Sequence, residues 1–171
     1  MAAEPKKMVR LRSSDGVTFE VEERSICAAS RTINGVLMEE GRAAADVVPL
    51  PDVINAATLS RVLDYVREHY DEQGHREFYL PISGLDHPLS GFDKDFLKVD
   101  DDTLFDVMLA AGYLGMDDLV ELMCRGLAEQ MKGKTPEELR QRFGIVNDYT
   151  KEEEEEVRKE IAWASELFKS Q

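Results

Sequence analysis

The side chains with chemical potential in this chain are few and scattered. His69, His75 and His87 fall within one stretch. A protein zinc site draws on ligands at short, paired spacings, and these three histidines match no such pattern, so they read as solvated surface residues. Cys27 and Cys124 are the two cysteines. A pair so far apart is no disulfide framework and lacks zinc spacing. Each reads as a small core residue rather than a nucleophile, in a reducing compartment. Asp100-Asp101-Asp102 has the charge of a divalent-cation site. The alternating ligands, glycine and distal Glu of a calcium loop do not follow it, and capping of the next helix accounts for it better. Glu152 to Glu156 could hold cations loosely or meet a basic partner. The simpler account is a solvated helix start matched to the helix dipole. No phosphate-cradling glycine loop, paired-His zinc helix or nucleophile elbow occurs, and no motif places an acid–base pair. The expectation is a non-enzymatic protein with no cofactor and no metal.

The elements that carry these residues begin with a hairpin over 8–21. Val9 and Leu11 alternate with Arg10 and Arg12, and Val17, Phe19 and Val21 alternate with Thr18 and Glu20. Period two marks a half-buried strand pair. Asp15-Gly16 between them favours a tight turn with positive φ at both central residues. One helical stretch is then expected, with Glu22 to Ser25 at its start, Ile26, Ile33, Val36 and Leu37 at helical spacing, and Gly41 as its stop. Val47 to Pro51 reads as a short or edge strand because of its prolines. Leu59, Val62, Leu63, Val66 and Tyr70 form the apolar stripe of an amphipathic helix. Gly74, Pro81, Gly84, Pro88 and Gly91 mark 71–92 as a long loop.

Helices resume from Asp93. Thr103 can cap one carrying Leu104, Val107, Met108 and Ala111, loosened at its end by Gly112 and Gly115. Asp117 can cap the next, with Leu119, Val120, Met123, Leu127 and Met131 facing inward and Gly133 ending it. Thr135-Pro136-Glu137-Glu138 is a capping box with proline at the first helical position. Thr150 to Glu153 repeats the device without the proline. Val157, Ile161, Ala164 and Phe168 then share one stripe, with Trp163 and Leu167 beside it. Strands early and helices late make an α+β fold. The expected organisation is a domain over 1–131 and a helical extension over 132–171.

Composition limits the partners. Hydrophobic residues make up 43% of the 171 and charged ones 33%, enough apolar surface to offset the entropy of ordering. The formal charge of −14 repels nucleic acid and anionic membranes and attracts basic protein surfaces. The N-terminus has no apolar run of the secretory kind, and no stretch reaches the roughly 20 apolar residues that span a bilayer. Cytoplasm and nucleus are the expected locations. The extension holds Leu139, Phe143, Ile145, Val146, Val157, Ile161, Trp163, Leu167 and Phe168 in short, separately capped pieces. So small a segment cannot bury all of these against itself. Either it packs back on the preceding helices or it offers an apolar face to a partner.

Several motifs carry a family resemblance. They are Thr103-Leu104-Phe105 leading to Ala110-Ala111-Gly112-Tyr113-Leu114, then Lys132-Gly133-Lys134-Thr135-Pro136-Glu137-Glu138, then Asn147-Asp148-Tyr149-Thr150 with the glutamates and Val157-Arg158-Lys159-Glu160. With Ser13 to Gly16, Phe19 to Val21, Val48 to Pro51 and Phe92 to Phe96, they make the chain resemble the Skp (S-phase kinase-associated protein) adaptor family. The glutamate tract is most similar to plant members. The resemblance implies a BTB/POZ-type domain with C-terminal helices, bridging a cullin to F-box substrate receptors in a ubiquitin ligase. It implies cullin binding at Ala111, Gly112 and Tyr113. It implies F-box binding at Leu119, Leu122, Met123, Leu127, Met131, Leu139, Phe143, Ile145, Val146 and Trp163. Two departures stand out. Gly112 occupies a place where members usually carry Asn, and Glu160-Ile161-Ala162-Trp163 replaces Glu-Asn-Gln-Trp. Gly112 motivates the alternative of a scaffold that holds F-box proteins outside any ligase.

Overall fold

A computed structural model describes residues 6–39, 47–71, 74 and 89–169, with Glu39 and 163–169 by backbone alone. The chain divides into two compact units, Met1–Gln130 and Met131–Gln171.

In the first unit β1 (Met8–Arg12) pairs antiparallel with β2 (Thr18–Glu22), placing Leu11 opposite Phe19. The short strand β3 (Val47–Pro49) joins the other side of β1 in parallel, giving the order β2-β1-β3 with β3 at an edge. Alternation puts Val9, Leu11, Val21 and Val48 on the buried face. The turn differs from expectation. Gly16 has positive φ, at 89°, while Asp15 does not. The connection is closed by Ser13 N–H to Val17 O at 2.9 Å and Gly16 N–H to Ser13 O at 3.0 Å. Asp15 is drawn into other work. Its carboxylate accepts from the Ala56 N–H at 2.9 Å and from the Ser13 hydroxyl. The Ser13 hydrogen bond is the main reason its pKa is lowered.

The expected single helix after β2 is two: α1 (Glu23–Ala29) and α2 (Arg31–Glu39), with Ser30 extended between them. Ser30 is fully buried. Its hydroxyl donates to Leu114 O at 2.6 Å and accepts from Ile33 N–H at 3.1 Å. A distant carbonyl thus selects the break, and the same hydroxyl caps the second helix. Gly41, the expected stop, lies outside the described residues.

Helix α3 (Ala56–His69) is capped by Asn55, which accepts from Thr58 N–H. Its stripe Leu59, Val62, Leu63 and Val66 is fully buried, as Tyr65 nearly is. Each such aliphatic side chain contributes about 1.5–3 kcal/mol. The helix packs on α5 (Asp101–Leu114), which supplies Leu104, Val107, Ala110, Ala111 and Leu114 to the same core.

Most of the expected 71–92 loop lies outside the described residues, together with His75 and His87. Its last two residues are helical: α4 (Gly91–Phe96) opens on a capping box between Ser90 and Asp93. His69 is not solvated. Its Nε2 lies 2.9 Å from Asp93 Oδ1, both side chains being largely buried. Its ring stands 4.3 Å from Tyr65 and 5.8 Å from Phe92 between centroids. Arg61 donates to Phe96 O at 2.9 Å and lies over the Phe96 ring. These contacts hold α4 on α3. The next cap is Asp100 rather than Thr103. Its carboxylate accepts from the Thr103 N–H and hydroxyl, both at 2.9 Å, and the backbone bond chiefly lowers its pKa.

Gly115, in the left-handed conformation, ends α5. Helix α6 (Asp117–Met131) follows, with Asp117 as its first helical residue rather than its cap. Cys27 is half-buried and Cys124 exposed, so the expectation of a core residue fails at Cys124. Burial raises the pKa of Cys27.

The second unit contains α7 (Pro136–Phe143) and α8 (Lys151–Lys169). Thr135 and Glu138 form the expected reciprocal box, and Gly144 closes the helix in the left-handed region. Thr150 and Glu153 bond reciprocally at the start of α8.

Candidate interaction surfaces

On α5, residues 102, 105, 106, 109, 112 and 113 share one face by helical geometry. The face is open. Phe105, Leu109 and Tyr113 are 36%, 61% and 50% exposed, and Gly112 lies exposed among them. An apolar stripe of this kind in a helix whose opposite side is core is a candidate contact face. Thr32 Oγ1 donates to Tyr113 O at 2.7 Å, and Arg31 pairs with Asp117 at 2.9 Å, so α2 anchors the end of the stripe. Ala111 is different: it is fully buried in the core. In the chain by itself its side chain packs into the core rather than on the open face. Phe105 and Leu109 share the face although neither is among the expected contact residues. Their signal in the sequence is the i, i+4, i+8 series that they form with Tyr113.

The residues expected on the second surface divide into three groups. Leu119, Leu122 and Met123 lie in the core, at 0%, 7% and 0% exposure. In the chain by itself they belong to the hydrophobic core. Leu127, Met131, Leu139 and Phe143 are half-buried. Ile145 and Val146 are 56% and 82% exposed. Trp163 lies on α8, and its side chain is outside the described part of the chain.

Within the second unit α7 buries no residue fully. Two ion pairs link it to α8: Arg158 to Glu137 at 3.1 Å and Arg140 to Glu154 at 3.5 Å. A solvent-exposed pair such as Arg158–Glu137 contributes little. Ile145, Val146, Tyr149 and Ile161 remain open to solvent. The glutamate tract is largely engaged at home. The Glu153 carboxylate accepts from the Thr150 N–H, Glu154 meets Arg140 and Arg158, and Glu155 meets Lys159. Leu139 lines an open concavity of about 480 Å³ with Lys134, Glu138, Gln141 and Arg142.

Among the described residues no group of three His, Cys, Asp or Glu side chains is placed to hold a metal ion. No helix among them is long and apolar enough to cross a membrane.

A small three-stranded sheet covered by helices, followed by a helical extension, defines the α+β BTB/POZ-type class. The Skp1 family model for the tetramerisation domain matches residues 7–71, and that for the dimerisation domain matches 117–164. SKP1-like protein 4 of Arabidopsis thaliana is 44% identical over 168 residues, covering 96% of this chain and 99% of that protein. SKP1-like protein 1 of Oryza sativa subsp. japonica is also 44% identical, over 179 residues, covering 97% and 100%. The SCF ubiquitin ligase complex protein SKP1b of Dictyostelium discoideum is 39% identical over 159 residues, covering 93% and 96%. The chain belongs to the Skp1 family.

Proposed function

We propose that this protein is the adaptor subunit of a Skp–cullin–F-box ubiquitin ligase, joining a cullin to F-box substrate receptors. The observation that carries the reading is the pair of exposed apolar faces, one on α5 and one in the second unit. Phe105, Leu109, Gly112 and Tyr113 form the cullin face in this account. Met131, Leu139, Phe143, Ile145, Val146 and Trp163 of the second unit contact the F-box, as does Leu127 near the end of α6. Leu119, Leu122 and Met123 shape α6 from the core. The name of the Dictyostelium discoideum relative, which places that protein in an SCF ubiquitin ligase complex, supports the assignment.

Such an adaptor performs no bond chemistry itself. It fixes distance and orientation, so that a bound substrate and a ubiquitin-charged enzyme meet at high effective concentration. The proposed partners are proteins, with no part for nucleic acid, membrane or a small-molecule substrate. Work in cytoplasm and nucleus suits thiols at Cys27 and Cys124 that stay reduced. Pull-down with F-box proteins and with cullins tests the proposal, and capture of neither defeats it. Trp163→Ala weakens F-box capture by roughly tenfold or more, as loss of a Trp anchor does, while cullin capture holds. A parallel fall in both would contradict two independent faces.

A further inference from the structure

Gly112 is an anomaly inside α5. It lies in the last helical turn, where Gly115 and not Gly112 supplies the left-handed residue that closes the helix. Gly112 is not among the positive-φ glycines. A Cβ built on it meets nothing within 4 Å. Among the described residues neither backbone conformation nor packing therefore requires glycine, which is a poor helix former. It is exposed on the same face as Leu109 and Tyr113, and leaves bare backbone beside them. Asp102 and Asp106 flank this face, both exposed.

The geometry points to Gly112 as a specificity-determining notch in the cullin face, an inference that rests on the adaptor reading above. A bulky apolar side chain of the cullin N-terminal region seats on the bare backbone at Gly112, against Leu109 and Tyr113. Lys or Arg neighbours of that side chain meet Asp102 and Asp106, the charge complement that two exposed carboxylates select. Any side chain at 112 fills the notch. A polar one such as Asn would favour a flatter and more polar cullin surface.

Calorimetric titration of the full chain with the N-terminal region of a plant cullin tests this, using Gly112→Ala, Gly112→Asn and Leu109→Asp beside the wild type. Gly112→Ala raises the Tm by about 2–4 °C, since helix propensity improves and the added methyl meets no neighbour, so folding is not in question. Cullin affinity falls severalfold in Gly112→Ala and by about tenfold or more in Gly112→Asn. Wild-type affinity or tighter binding in Gly112→Asn overturns the notch. If Leu109→Asp still abolishes binding in that case, the cullin face stands without it. A wild type that binds no cullin overturns the notch and the cullin half of the adaptor reading together.

Discussion

Ser30 shows how one side chain sets the local path of the backbone. Its hydroxyl engages the Leu114 carbonyl and the Ile33 N–H at once, in a site with no access to water. Removing it leaves a buried carbonyl unsatisfied and α2 without its cap. Ser30→Ala accordingly lowers stability by about 1–3 kcal/mol, read from urea unfolding; a loss near zero would mean that water replaces the hydroxyl. In the sequence, Ser30 falls between apolar positions of a continuous helical period, so nothing local marks the break. His69 is opaque for a similar reason. Its partners Phe92 and Asp93 lie at the far end of the stretch that begins at 71, and only tertiary structure brings them together. Cys124 misleads in the other direction, because apolar sequence neighbours on a helix point to different faces.

Helices α7 and α8 show what sequence does record. Both starts are legible, because a capping box is written in four consecutive residues and its geometry is local. The same boxes make these helices sensitive to acid. Glu138 and Glu153 each accept a backbone N–H, from Thr135 and Thr150, and this bond is the leading cause of their lowered pKa. Their folded values lie below the ordinary 4.5, so protonation favours the unfolded helix start. The stabilisation is fully present above 4.5 and is lost as pH falls through the lowered values. Far-UV circular dichroism at decreasing pH should show helix loss beginning below 4.5, and Glu138→Gln with Glu153→Gln should flatten that acid limb. An unchanged limb in the double variant would assign the loss elsewhere. Helix α5 is less readable. It is apolar nearly all round, from Leu104 through Leu114, so period alone cannot say which stripe faces the core. Packing against α3 decides it, burying Ala111 and leaving Phe105 and Leu109 outside.

At the scale of the molecule, the α+β order of strands before helices is evident from the change of period, and the family motifs carry the function further than any residue chemistry could. The separation of core from contact residues is not evident. Leu119 and Met123 look no different in sequence from Leu127 and Met131, yet the first pair is fully buried and the second is partly open. An acidic whole, at −14, favours partners with basic surroundings. The proposed function requires two faces that work independently. Light scattering of the full chain mixed with an F-box protein and a cullin N-terminal region measures this most directly. The account predicts a ternary complex of one copy of each, with neither partner displacing the other. Mutually exclusive binding, or a mixture in which only one partner joins, would contradict it.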